Sequence, residues 1–215
     1  MAESTVLDDP EFLAGPQTAA VAVLERVFEW ETSERGVHLE GAVVTLGALA
    51  GKACQVAVLT GIIEKDPVYK GMSVADVTAA DGTEYIFGDA INRPLVESTY
   101  SVWSLVAGAA NSLGATVPDV TELFQHAAAS VGTAEFGIPR YAEGTNAEPP
   151  VTYLLRFDEL LPIIRASAPD AQQWPIVFGI AIQQLFAIVG KDFDLTVLTR
   201  IFMDAAIAMS KLKTS

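Results

Sequence analysis

The residues of this chain whose types and spacing could do chemistry gather at one turn. Gly88-Asp89-Ala90-Ile91-Asn92-Arg93-Pro94 leads out of a strand-like stretch, and Glu97, Tyr100, Ser101 and Ser104 follow it at helical spacing. Glu97, Ser101 and Ser104 would share one stripe of a helix otherwise rich in Ala, Val and Leu. Read as a site, the turn is a pocket mouth at which Asp89, Asn92, Glu97 and Tyr100 meet Arg140 from a long loop. Read as structure, Asp89 and Asn92 are turn and capping residues and the others form an exposed face.

Lys52 is a further candidate. Gly47-Ala48-Leu49-Ala50-Gly51-Lys52-Ala53 has the look of a phosphate loop, but only three residues separate the glycines and Ala53 stands where a metal-binding Ser or Thr belongs. The segment also lies inside a helical run rather than after a strand. Lys52 is then either a snorkelling residue on a narrow polar stripe with Thr45 and Gln55, or a buried ammonium that needs a carboxylate ligand as its partner.

Both histidines follow a glutamate by four residues, Glu34 before His38 and Glu122 before His126. A helix would bring each pair together, which suggests a metal-binding bundle, but such bundles use Glu-x-x-His with two further glutamates. Gly36 also interrupts the first pair. Surface side-chain pairing is the expectation, no metal and no cofactor are expected, and His126 is the better ligand of the two. For nucleophilic catalysis there is no Gly-x-Ser-x-Gly, and Ser210-Lys211-Leu212-Lys213 matches Ser-x-x-Lys only in a terminal tail. Cys54 falls on a seam of small residues and reads as packing.

The surroundings of these residues are apolar inside and acidic outside. Half of the 215 residues (51%) are hydrophobic, yet the net charge is −14, with 27 Asp and Glu against 13 Lys and Arg. The first forty residues hold nine acids against Arg26 and Arg35. Such a surface repels phosphate backbones and anionic lipid, so nucleic-acid binding is not expected. A single cysteine and an acidic N-terminus without a signal pattern suggest a cytoplasmic protein.

The elements that must position the candidates follow from hydrophobic periodicity. Residues 1–15 read as a loose acidic arm, and 16–211 as one helical domain. Gln17 to Ser33 is an amphipathic helix. Val37 to Ile63 is the most apolar segment, and its Gly47, Gly51, Cys54, Val58 and Gly61 form a seam that a neighbouring helix could approach closely. Its length would span a membrane, but Lys52 at its centre argues for a buried core helix.

Val74 to Ala80 and Thr83 to Phe87 flank Asp81-Gly82, which predicts a hairpin with a two-residue turn pairing Thr78 with Tyr85 and Val77 with Ile86. One helix is expected from Pro94 to Leu113, with a second small-residue seam at Ser104, Ala107 and Gly108. Another follows Thr116-Val117-Pro118-Asp119 and ends at Gly132. In the long connection after it, Glu135 to Tyr141 should pack and 142–150 should be mobile. A helix over 151–167 is expected to break at Pro162, another runs from Trp174-Pro175 to Gly190, and Asp194 caps the last, which fades from Ser210 onward.

Phe87-Gly88-Asp89-Ala90-Ile91-Asn92, Phe136-Gly137-Ile138-Pro139-Arg140 and Met209-Ser210-Lys211 together resemble a family of uncharacterised bacterial proteins, over most of the chain from about Gly47 onward. The resemblance implies a bacterial source and brings no activity, cofactor or catalytic residue. The expectation is a mainly α fold, a compact array of six or seven helices with one β-hairpin at about 74–87, assembled as a homodimer through small-residue seams and the hairpin's two free edges. Its function reads as non-enzymatic, with a small molecule or a protein as partner. The alternative is an enzyme of unknown class with a buried polar site near Glu97, Tyr100 and Arg140.

Overall fold

Helix α1 (Pro10–Glu31) runs straight through Gly15-Pro16, where the loose arm was expected to end. Pro16 cannot donate to the Phe12 carbonyl one turn earlier, and Gln173 does so instead, its Nε2 donating to that oxygen at 3.2 Å. A side chain at Gly15 would collide with the Ser167 carbonyl, so the glycine lets the neighbouring helix come close. The computed structural model describes residues 10–34, 36–141 and 148–214. The rest of the expected arm, residues 1–9, lies outside them.

A two-residue pairing of β1 (Thr32–Ser33) with β2 (Gly36–Val37) turns the chain into α2 (Leu39–Glu64). His38 is the N-cap of α2, its Nδ1 accepting from the Gly41 N–H at 3.1 Å, so it shares no helix with Glu34. Between Leu39 and Val58 only Glu40, Lys52 and Val56 reach solvent. The first half of the seam faces the last long helix of the chain, a Cβ at Gly47 colliding with the Phe202 carbonyl and one at Gly51 with that of Ala206, while Gly61 packs against Tyr69 and Gln172. Leu39–Glu64 and Ala171–Asp192 are long and apolar enough to cross a membrane by length and composition, and 83% and 61% of their most apolar windows are buried inside the protein.

Strands β3 (Ala75–Thr78) and β4 (Glu84–Phe87) form the expected hairpin, with its register moved by one residue. Val77 lies opposite Tyr85 and Thr78 opposite Glu84. The Ala79 N–H bonds to the Thr83 carbonyl at 2.9 Å, so the loop holds three residues and only Gly82 has positive φ, at +86°. Asp81 stays out of the left-handed region because its carboxylate caps the turn, accepting from the Thr83 N–H at 2.9 Å. This is the bulged three-residue loop, in which one glycine suffices. β3 is exposed along its length, while the other edge of β4 is covered: Leu212 bridges to Tyr85, and the Lys213 N–H donates to the Glu84 carbonyl at 2.9 Å. Among the described residues the hairpin has one free edge, not two.

The single helix expected from Pro94 is three pieces: α3 (Asp89–Asn92), a π turn (Arg93–Glu97) and α4 (Val102–Ser112). Ser98 is extended, and Ser101 caps α4 by accepting from the Ser104 N–H at 3.1 Å. The stripe of Glu97, Ser101 and Ser104 therefore does not exist. The second seam is open at Gly108, where nothing lies within 4 Å of a side chain placed there, although Ala107 is buried.

Asp119 caps α5 (Val120–Ser130) as expected. The segment after it packs on the core through Phe136, Gly137 and Pro139, while 142–147 of the expected mobile loop lie outside the described residues. The helix over 150–167 is interrupted by a 3₁₀ turn at Leu154–Arg156, between α6 (Pro150–Tyr153) and α7 (Phe157–Ser167), and Pro162 sits inside α7 without ending it. The break places Arg156 over the Trp30 and Tyr153 rings, 4.9 and 5.2 Å from their centroids, and 3.0 Å from the Glu31 carboxylate.

α8 (Trp174–Val189) lies between α1, α2 and α4. Its Gly179 receives the Leu105 side chain, so the small residue of that contact is on α8, not α4. Asp194 Oδ1 accepts from the Thr196 and Val197 N–H groups to open α9 (Leu195–Lys211), and alanine there should cost about 1 kcal/mol of stability in a urea titration. From Ile201 to Lys211 every residue of α9 is buried. Where a fading tail was expected, Ser210 and Lys211 lie in the interior. The protein is mainly α, seven helices of eleven residues or more among the described ones, with α2 and α9 as the central pair.

Candidate functional site

The buried end of α9 meets the hairpin exit and α5 around a pocket of about 290 Å³. Phe124, Ala127, Ala128 and Val131 line it from α5 at the i, i+3, i+4, i+7 spacing of an apolar helix face. Phe87, Asp89 and Asn92 close it from the hairpin exit and α3, Phe136 from the following loop, and Ile207 and Lys211 from α9. Its position is set by β4, which Tyr85 ties down: the Tyr85 hydroxyl accepts from the Gly132 N–H at 3.2 Å, and its ring meets Phe136 edge-on at 5.0 Å.

Lys211 is the unusual group of this pocket. Only 7% of it is exposed, and among the described residues its Nζ makes one hydrogen bond, to Asn92 Oδ1 at 3.0 Å. The same nitrogen lies 5.9 Å from the centroid of Phe124, at the outer limit of a cation–π contact. Since Asn92 and Phe124 both line the pocket, Nζ sits at its wall. An ammonium has three donors, and a buried one with two unused is costly. Burial accordingly pushes its pKa down from 10.5 to about 8, against opposing influences from Cys54, Asp89 and Glu97.

Between about pH 8 and 10.5 the unfolded chain holds a proton on Lys211 that the folded chain has released, so stability gains from this residue as pH rises across that window. Urea titrations of wild type and Lys211→Met should differ by an amount that shifts toward the wild type, on the order of 2–3 kcal/mol in all. A difference that stays flat with pH would mean that the ammonium is not desolvated.

Of the sequence candidates, Asp89 and Asn92 line this pocket. Glu97 does not, although its charge reaches Lys211. Tyr100 is half-buried against the main core. Arg140 is committed elsewhere: its Nε and a second guanidinium nitrogen donate to Asp204 at 3.0 and 2.9 Å, its backbone N–H to the same carboxylate at 3.2 Å, and the remaining nitrogen to Glu122. The meeting of Arg140 with the hairpin exit does not occur, and Glu122 pairs with Arg140 across space rather than with His126 along its helix. Among the described residues no three His, Cys, Asp or Glu side chains are grouped to hold a metal ion. Cys54 is fully buried, and burial pushes its thiol far above the usual range, which leaves it unreactive in the folded protein.

Lys52 lines a different and larger space, a groove of about 680 Å³ between α2 and α7. Its Nζ donates to Gln55 Oε1 at 3.0 Å and to Thr214 Oγ1 at 2.9 Å, and burial lowers its pKa while Asp158 opposes. The groove's charges are mixed, Lys52 and Arg165 against Glu64, Asp158 and Asp170, and the Arg165 guanidinium rests over the Trp174 ring at 5.3 Å. The donors left over in this groove, on Arg165 and one on Lys52, belong to side chains that reach solvent, where water satisfies them at little cost. In the smaller pocket the spare donors are those of a buried side chain, Lys211.

Lys211 carries no sign of burial in the sequence, because the stretch from Ser210 onward reads as a polar, fading tail. The available signal was charge inside periodicity: Ile207 and Lys211 lie four residues apart on the continuation of a face that Asp194's cap already sets. No protein-family model, no curated protein and no solved structure matches this chain.

Proposed function

We propose that this is a small-ligand-binding helical protein whose site is the Lys211 pocket. The observation that carries the reading is a buried ammonium with donors to spare on the wall of a cavity whose other lining is mainly apolar, Asp89 and Asn92 apart. At about 290 Å³ the cavity suits a molecule of roughly ten heavy atoms or fewer, judged by the ~30 Å³ a water occupies in the liquid. The chemistry of the walls asks for an apolar chain ending in one hydrogen-bond acceptor, a carboxylate or carbonyl oxygen, received by Lys211 and Asn92. The enzyme alternative built on Glu97, Tyr100 and Arg140 loses its guanidinium to Asp204 and Glu122.

A thermal-shift series with hexanoate and hexanol tests this. Hexanoate should raise the melting temperature of the wild type and leave Lys211→Met unmoved, with hexanol weaker on the wild type. No shift with either at millimolar concentration would sink the reading. Native mass spectrometry of the untreated protein reads the second expectation, a homodimer, which now rests on the exposed β3 edge alone.

A further inference from the structure

We infer that Lys211 is a carbonyl-capturing amine: the pocket admits a short unbranched aldehyde, and Lys211 condenses with it to an imine. This rests on the ligand-binding reading of the same pocket and adds the substrate class and the covalent step. Three features of the geometry converge on it. The amine is held at the cavity wall by its bond to Asn92 Oδ1, near the Phe124 ring, which leaves a lone pair to be presented to the cavity. The apolar face of α5 provides for a hydrocarbon tail. Asp89 is the one carboxylate in the lining, on the same wall as Asn92, where it can carry protons between nitrogen and oxygen.

Protonation decides whether an amine is a nucleophile. With its pKa pushed down to about 8, about half of Lys211 is neutral at that pH, whereas an ordinary lysine is neutral to well under ~1%. The charged groups that reach it are Asp89 and Glu97, and both act to keep the proton on; the buried Cys54 thiol of α2 is neutral in this pH range. The other described lysines lack the combination. Lys52 is tied by two hydrogen bonds, to Gln55 and Thr214, and is half-buried, Lys213 lies beside Asp76 and Glu84, and Lys65, Lys70 and Lys191 are exposed.

In the step itself the Nζ lone pair attacks the carbonyl carbon and forms the C–N bond, while the C=O π pair moves to oxygen, which takes up a proton. Nitrogen loses one proton to give the neutral carbinolamine. The nitrogen lone pair then forms C=N as the C–O bond breaks, and the oxygen leaves as water after a second protonation. Loss of the remaining N–H proton leaves an imine, so amine and aldehyde give imine and water with no oxidant or reductant.

The test treats the full chain with hexanal and cyanoborohydride near pH 8, the reagent's hydride reducing any imine to a stable secondary amine, followed by peptide mapping. Lys211 should be alkylated roughly tenfold faster than Lys65, Lys70 or Lys191. Its rate should rise through a midpoint near pH 8, and Lys211→Arg, checked for its fold by circular dichroism, should lose the fast phase. Labelling of the exposed lysines with Lys211 untouched overturns the inference. If hexanoate still stabilises the wild type in that case, the binding reading stands and only the imine falls. If neither hexanoate nor hexanal engages the pocket, both fall.

Discussion

Arg140→Ala should lower the unfolding free energy by about 3–5 kcal/mol, because it strands a carboxylate. Asp204 has a side chain only 1% exposed, and three of its hydrogen bonds come from Arg140, one from the backbone and two from the guanidinium. Removing the guanidinium leaves the charge in the interior with the backbone N–H as its remaining partner. Arg140 also fastens the loop after α5 to α9, so the loss should reach the neighbouring Phe136 and loosen the wall of the Lys211 pocket. The double variant Arg140→Met with Asp204→Asn should recover more than half of the loss, since asparagine carries no charge and can still accept from the backbone N–H. Urea titration of the three variants reads this. A cost below about 1 kcal/mol for Arg140→Ala would place the pair in the class of solvent-screened surface bridges.

Gly51→Val should cost about 2–3 kcal/mol, near the top of the range for overpacking. The new side chain would meet backbone atoms of α9, with the Ala206 carbonyl in collision, the Ser210 nitrogen at 2.7 Å and the Met209 carbonyl carbon at 3.0 Å. Backbone in the middle of a helix cannot rotate aside as a side chain can. Gly108→Ala is the matched comparison. It lies in a helix with nothing within 4 Å of the new methyl, and it should stabilise by up to about 1 kcal/mol through helix propensity. Equal effects of the two would mean that the α2–α9 seam is not the tight contact its geometry indicates.

Those two glycines also show what could be read from the chain alone. The seam on α2 was legible because Gly47, Gly51, Cys54, Val58 and Gly61 repeat at steps of three and four across a run with no polar face, which is a property of one helix. The caps at Asp119 and Asp194 were legible for the same reason, each being a bond between near neighbours. Ser104, Ala107 and Gly108 repeat in the same way, yet the contact there is made by Leu105 entering Gly179 of another helix, and spacing within one segment says nothing about its partner.

The hairpin was found but mis-registered because Asp81-Gly82 fits two loops, and the choice depends on whether the Asp81 side chain caps the turn. The site was half found. Asp89 and Asn92 stand at a turn whose residue types invite attention, but the group they face, Lys211, is 119 residues further along from Asn92. Arg140 attracted notice as a loop cation and is bound by Asp204, a carboxylate hidden in an apolar helix. In both cases the deciding partner arrives from α9, and no local pattern reports it.

That dependence on α9 has a consequence for how the chain comes to its final state. Gln55, in the middle of α2, donates to the Ser210 and Leu212 carbonyls, 155 and 157 residues further on, and the second edge of β4 waits for the same stretch. During synthesis the most apolar helix of the protein therefore emerges long before the surface that will cover it. Loop closure over such a distance is slow for a helical fold, which normally forms through local contacts. Refolding should accordingly proceed in two phases, a fast gain of helix signal and a slower burial of α2 that coincides with the docking of residues 195–212. Until that second phase is complete, an exposed, glycine-rich hydrophobic helix is the species on which chaperone demand and aggregation will turn.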